Sequence, residues 1–203
     1  MVDTAKKTAR DGEDNEADMK WRALGLPNPY RLSLQHPWTL YFDVDWRCRH
    51  NLFTITNVAE FWSVINNVPS PTNSPLKCNW SLFKYNIQPE WEDDQNKKGG
   101  KWNMDLGTDR ALCDTIWLNL LMGVIGLTLD PTSEINGVTL HLRPGGVRCA
   151  VWTAGTNLET QKVIGSRLRQ LCQIPKTIKL HYKLQSEAIE KNSSYETQVT
   201  LVM

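Results

Sequence analysis

The chain has 203 residues, 40% of them apolar, and its 23 Lys and Arg against 22 Asp and Glu leave a net charge of +1. That length suits one domain with a core of its own, and the near-neutral balance excludes a protein that coats nucleic acid by bulk charge, so any phosphate site is local. The five cysteines, Cys48, Cys78, Cys113, Cys149 and Cys172, include no Cys-x-x-Cys pair. This excludes a zinc knuckle and argues for reduced thiols in a cytoplasmic protein that can also be nuclear. The N-terminus lacks the apolar core of a signal peptide, and the longest apolar run, Leu118 to Leu129, is interrupted by Asn119, two glycines and Thr128. The chain therefore reads as soluble. Nine tryptophans are more than a core of this size needs, so some indoles are expected at surfaces, as stacking platforms or partner anchors.

Residues 1–30 mix charges densely, carry few large apolar groups and turn at Pro27-Asn28-Pro29, which predicts a disordered tail before a domain over 31–203. From Trp38 the pattern alternates, with Trp38, Leu40 and Phe42 on one face and Thr39, Tyr41 and Asp43 on the other. That is a strand of a half-exposed sheet. A polar loop holding Trp46 follows, then a short strand over Leu52 to Thr56. Asn57 and Glu60 form a capping box for a first helix, whose Val58, Phe61, Trp62 and Ile65 share a face. Phe61 and Ile65 suffice to bury it, which leaves Val58 and Trp62 as further core or as an exposed docking edge.

Trp80 to Tyr85 is the next strand, and a turn at Asn96-Lys97-Lys98-Gly99-Gly100 returns the chain to Lys101-Trp102-Asn103-Met104. Hairpin geometry there places Trp91-Glu92 near Lys101. A second helix runs from Thr108 to about Gly126, with Leu112, Ile116, Trp117, Leu120, Leu121 and Val124 inward and Leu118 and Met122 on another flank. Gly137 to Leu142 is a strand, Arg143 to Arg148 a tight turn with an Arg at each end, and Cys149 to Thr153 a returning strand carrying Trp152. Thr156 and Glu159 cap a third helix ending near Cys172, with Leu158, Ile164, Leu168 and Leu171 inward. Strands over Thr177 to Lys183 and Val199 to Val202 complete an α+β sheet backed on one face by helices, its other face left for a ligand.

The chemistry centres on Asn86-Ile87-Gln88-Pro89-Glu90-Trp91-Glu92-Asp93-Asp94, which sets an indole beside a carboxylate outside any helix. Taken alone it is more simply a loop with a partly buried Trp and a solvated acidic run. Trp46 in a second loop, the Arg143/Arg148 turn and Trp152 beside it turn the balance. Two indoles can sandwich one flat cationic ring with about 1–2 kcal/mol or more per desolvated face. Glu92 can accept both N–H groups of guanine's Watson–Crick edge, and two guanidiniums can grip neighbouring phosphates. Together they describe a site for a 7-methylguanosine cap.

The motifs Val58-Ala59-Glu60-Phe61-Trp62, Ser81-Leu82-Phe83-Lys84, Pro89-Glu90-Trp91-Glu92-Asp93, Asn96-Lys97-Lys98-Gly99-Gly100-Lys101-Trp102 and Arg143 to Trp152 resemble, in order, the eukaryotic translation initiation factor 4E family of mRNA cap-binding proteins. The resemblance implies a cupped antiparallel sheet of about eight strands with three helices on its convex face and the cap in its concave face. By position it implies Trp46 and Trp91 as the base sandwich, Glu92 as the guanine reader and Trp152 as the contact to the methyl group. Arg143, Arg148, Lys101 and Lys191 then stand as the phosphate contacts, and Ser194 resembles a regulatory serine. It also implies a dorsal site where scaffold initiation factor 4G and 4E-binding repressor proteins dock a Tyr-x4-Leu-φ helix. Val58, Trp62, Leu118, Asn119 and Met122 match that site, with His36, Pro37 and Gly126 at its ends. The chain departs from the pattern where His36-Pro37 directly precedes Trp38 without a spacer, and where Asn119 replaces a common Glu. Trp at both 38 and 46 resembles the translation-promoting class.

No catalytic constellation stands at motif spacing, so a monomeric binding protein without enzymatic activity, cofactor, metal or membrane association is expected. Three rivals are a cap-hydrolysing enzyme with Glu90, Glu92, Asp93 and Asp94 on a metal, a carbohydrate-binding module with Trp platforms, and a cap-binding translational repressor.

Overall fold

The computed structural model describes residues 18–44, 49–130, 132–190 and 198–203. Within the expected tail, residues 18–23 are helical and Asp18 pairs with Arg31 at 2.8 Å while accepting a hydrogen bond from Asn28 at 2.8 Å. The first strand, β1 (Ser33–Asp43), starts five residues before the predicted one. Leu34 extends the inward line of Trp38 and Leu40, and a register shift against the next strand between Ser33 and Trp38 accommodates Pro37, which has no N–H to donate.

The remaining strands are β2 (Arg49–Asn57), β3 (Asn79–Lys84), β4 (Gly100–Gly107), β5 (Ile135–Arg143), β6 (Gly146–Thr153), β7 (Leu180–Leu184) and β8 (Leu201–Val202). Among the described residues they form one antiparallel sheet in the order β2-β1-β3-β5-β6-β4-β7-β8. The predicted hairpin between β3 and β4 does not form: β3 pairs with β1 and β5, whereas β4 pairs with β6 and β7. The segment between them is too long for a tight turn and crosses over the sheet instead.

Helix α1 (Val58–Asn67) is capped as predicted by Asn57, which accepts from the Glu60 N–H at 2.9 Å. The Glu60 carboxylate reaches one residue further back than a standard box, to the Thr56 N–H at 2.7 Å and hydroxyl at 2.8 Å, and these bonds lower its pKa. Helix α2 (Arg110–Ile125) is capped by Asp109, whose carboxylate accepts from the Leu112 N–H at 3.0 Å. Helix α3 (Leu158–Leu171) is capped by Asn157 rather than by Thr156, because the amide oxygen of Asn157 receives both the Glu159 and Thr160 N–H groups. A short helix, α4 (Gln185–Glu190), follows β7.

The core lies between α1–α3 and one face of the sheet, with Trp38, Leu82, Trp102, Leu140 and Tyr182 from strands meeting Ile116, Leu120, Ile164 and Leu168 from helices. In α3 the inward line is Gln161, Ile164, Gly165 and Leu168, whereas Leu158 and Leu171, both predicted inward, are exposed. The helix turns that way because Gly165 sits directly on Trp102: a Cβ there would fall 2.7 Å from the indole. Five of the nine tryptophans, Trp38, Trp80, Trp102, Trp117 and Trp152, are buried. The described cysteines, Cys78, Cys113, Cys149 and Cys172, are free and buried; Cys48 lies outside the described residues. No helix among the described residues is long and apolar enough to cross a membrane.

Candidate functional site

On the face turned away from the helices, alternation and register place side chains in three lines running across the strands. The first is Thr39, Phe83, Gly137, Trp152, Lys101 and Lys183; the second is Tyr41, Ser81, Thr139, Ala150, Asn103 and His181. The third is Arg49, Asp43, Asn79, His141, Arg148 and Asp105. The first ends in the two lysines, the second in Asn103 and His181, and the third in Arg148 opposite Asp105. Thr39, Tyr41 and Asp43, predicted to be the exposed side of β1, are buried, because loops close over that end of the face.

The aromatic end is a second, smaller apolar cluster of Tyr41, Phe83, Ile87, Ala150 and Trp152, with Trp91 half-buried against it. Phe83 and Trp152 meet edge-on at 5.7 Å, and the Trp152 indole N–H donates to Thr139 Oγ1 at 3.3 Å. Gly137 makes this packing possible, since a Cβ there would lie 2.3 Å from the Phe83 ring. Trp91 is thus brought to Trp152 by a crossover loop rather than by a hairpin.

That loop is built by two residues whose role is not visible in the sequence. Asn96 is fully buried; its amide donates to the Gln88 and Glu90 carbonyls at 2.8 Å each, while its oxygen accepts from Asn136 at 3.1 Å. Asp93 accepts from the Gln88 and Gln95 N–H groups at 2.9 Å each. The acidic run is therefore partly scaffold. Asp94 pairs with Lys97 at 2.5 Å and Glu90 with Arg49 at 2.5 Å, which leaves Glu92 exposed with no hydrogen bond or ion pair to another described residue. Among the described residues no three His, Cys, Asp or Glu side chains converge as a metal set.

Trp46 and Lys191 lie outside the described residues, as does Ser194. The ends of the Trp46 loop are nonetheless described. Arg49, where β2 begins, joins Glu90 of the Trp91 loop and stands 3.6 Å from Asp43, where β1 ends. Burial raises the Asp43 pKa, an effect that the Arg49 guanidinium opposes.

The charged end is a trough of about 500 Å³ whose lining includes Lys101, His141, Arg143, Arg148, His181 and Lys183, with Asp105 as its one carboxylate among the described residues. Lys101 Nζ stands 5.0 Å from the centre of the Trp152 ring, and burial, with Lys183 beside it, lowers its pKa to about 8. Arg143 is oriented by the Cys78 and Leu142 carbonyls at 3.1 and 2.9 Å and by Asn79 Oδ1 at 2.8 Å. The same Asn79 oxygen accepts from His141 Nδ1 at 2.8 Å, and burial, then the Arg143, Lys101 and Arg148 charges, push His141 down to about 4. Arg148 Nε lies 3.7 Å from Asp105. Sequence patterns assigned His141, His181 and Lys183 no role in the site. The polar positions alternating with Leu180 and Tyr182 in β7 were the available signal.

On the helical side, Trp62 is 40% and Met122 37% exposed, Val58, Leu118 and Asn119 are half-buried, and Gly126 caps α2 at the surface. Trp62 and Met122 thus stand at the surface rather than in the core. His36 and Pro37 are placed elsewhere: His36 Nε2 is 2.7 Å from Ser133 Oγ, and the Pro37 carbonyl accepts from the Tyr85 N–H at 2.9 Å. The residue against Val58 is Leu32, whose carbonyl accepts the Val58 N–H at 3.0 Å and whose side chain is exposed. The antiparallel pairing of Ser33 with Asn57 brings it there.

The family model described as "Eukaryotic initiation factor 4E" matches residues 33–200. Among curated relatives, eukaryotic translation initiation factor 4E-1 of Schizosaccharomyces pombe is 34% identical, over 79% of this chain and 78% of its own length. Eukaryotic translation initiation factor 4E of Eremothecium gossypii is 32% identical over 94% of both. Among solved structures, Caenorhabditis elegans eIF4E-3 in complex with the 4E-binding protein Mextli and a cap analog superposes with a TM-score of 0.76 at 27% identity, covering 85% of this chain and 99% of that one. Ascaris suum eIF4E-3 with an m2,2,7G cap gives 0.74 at 29% identity, covering 85% and 98%. With its family match running from β1 through β7, and with this concave face beside these helices, the chain belongs to the eukaryotic initiation factor 4E family.

Proposed function

We propose that this protein binds the 7-methylguanosine cap of mRNA on the concave face and recruits a scaffold initiation factor, or a 4E-binding protein, on the helical face to start translation. The observation that carries the reading is the continuity of the two ends of the concave face. Trp91 packs against the Trp152 cluster, and Trp152 in turn lies beneath Lys101 at the edge of the cationic trough. A flat cationic ring on Trp91 and Trp46, read by the exposed Glu92, would trail its phosphates toward Arg143, Arg148 and Lys101, with Lys191 a further contact. Relatives named for cap complexes and for 4E-binding proteins support both halves. On the helical face the docking surface comprises Val58, Trp62, Leu118, Asn119, Met122 and Gly126, with Leu32 in place of His36 and Pro37. We take residues 31–203 as the cap-binding domain, acting in the cytoplasm as a translation-promoting member and without enzymatic activity.

Titration of intrinsic Trp fluorescence with 7-methyl-GTP and with GTP tests this. Strong quenching by the methylated nucleotide, at least tenfold weaker in Glu92→Ala, is the expected result; equal and weak responses to both nucleotides would overturn it.

A further inference from the structure

The line of residues that carries Trp152 ends in two lysines on adjacent strands, Lys101 of β4 directly opposite Lys183 of β7. Like charges facing each other on a sheet destabilise it, and low local polarity strengthens the repulsion. Lys101 is half-buried, and the Lys183 ammonium adds to burial in lowering its pKa. Neither lysine has a carboxylate within ion-pair reach among the described residues. Asp105, which lines the trough, lies on another line, opposite Arg148. His181, on the same face of β7, adds an imidazole rather than a counter-charge. An anion standing between the two ammonium groups relieves that repulsion.

The two arginines lie on the far side of this pair. Arg143 ends β5 and Arg148 is on β6, whereas Lys183 is on β7, beyond β4. At about 4.8 Å per strand, Lys183 is roughly 10 Å from the β6 line and roughly 14 Å from β5. A triphosphate gripped by both arginines ends short of it, but a polynucleotide continuing from that triphosphate carries a phosphodiester at each nucleotide and can reach it.

We propose that Lys183, beside the Lys101 that the triphosphate reaches, forms a second anion seat, which takes a backbone phosphate of the RNA running on from the 5′ triphosphate. The proposal rests on the cap-binding reading for the position of that triphosphate. The seat gives the protein a grip on the body of a capped RNA, where the chain reads phosphate and not base.

The test compares the affinities of wild type and Lys183→Gln for 7-methyl-GTP, a capped ten-nucleotide RNA and the same RNA with an uncapped 5′ triphosphate. In the variant, the affinity ratio of capped RNA to 7-methyl-GTP is expected to fall about five- to tenfold. The salt dependence of capped-RNA binding should lose close to one contact, a slope change of about 0.7, and Lys183→Arg should restore both. A ratio within twofold of wild type overturns the seat, whether both affinities hold or both fall together. If wild type binds 7-methyl-GTP no better than GTP, the cap reading fails by itself. A Lys183-dependent loss on the uncapped triphosphate RNA then still upholds the seat, and no loss there removes it.

Discussion

The two faces of the sheet are made by alternate residues of the same strands, and they are held by different physics. On the helical side, Trp102, Leu82, Leu140 and Tyr182 are fully buried against α2 and α3. That packing depends on shape and removed area and carries no net charge for pH to titrate or salt to screen. On the concave side the apolar cluster is small, and beyond Trp152 the lines run into cations that outnumber their acid. Stability is made on one face, while the other carries an electrostatic imbalance that an anionic ligand relieves. The same indole type serves both ends: Trp102 is sealed, and Trp91 is left partly open.

The sharpest break of this comparison is a pair of truncations. Trp102→Ala is expected to lower stability by about 3–5 kcal/mol in urea unfolding. Trp91→Ala is expected to cost about 1 kcal/mol or less and yet remove most of the fluorescence response to 7-methyl-GTP. Equal losses of stability would erase the distinction between core and platform.

A smaller effect comes from His141, which faces Asn79 on β3 and Arg148 on β6, with Arg143 and Lys101 close enough to act on its charge. Its folded pKa is lowered to about 4 from the model-compound 6.5. Between those values the unfolded chain binds the extra proton, so the stability associated with the neutral ring is complete above pH 6.5 and is lost as pH falls toward 4. His141→Asn should flatten that part of the pH–stability curve by about 2 kcal/mol, measured by urea midpoints at intervals across the window. An unchanged slope would mean that the imidazole is not what titrates.

The smallest expected effect has the opposite sign. Lys101→Met keeps the stem over Trp152 and removes the half-buried ammonium opposite Lys183. The free protein should gain about 1 kcal/mol while its affinity for 7-methyl-GTP falls several-fold. A loss of stability would show that Lys101 is already satisfied and that the concave face carries no such imbalance.

Much of this was legible in the chain because it is local. Helix spacing in α1 and α2, the Asn57 cap and the Arg143 to Arg148 turn follow from neighbours a few residues apart. The cap of α3 was misplaced by one residue, since Thr156 and Asn157 are both good caps and only the docking of Gly165 on Trp102 decides the phase.

Nine tryptophans implied that some stand at surfaces, and composition could not say which: five went inside, whereas Trp62 is exposed and Trp91 half-buried. An indole is apolar enough for either, and burial is a property of the neighbours that the fold supplies.

What the sequence by itself determined was the family motifs, the element types and the presence of Trp91, Glu92, Arg143, Arg148 and Trp152 as chemistry. Tertiary structure alone decided which of them meet. Strand order separates β3 from β4 and carries Trp91 across to Trp152. Register sets Lys183 opposite Lys101, and pairing of Ser33 with Asn57 puts Leu32, not His36, beside Val58. Pairing partners lie tens of residues apart, and one residue of slip reverses every face; no local pattern encodes that choice, which rests on the summed burial of the whole sheet against its helices.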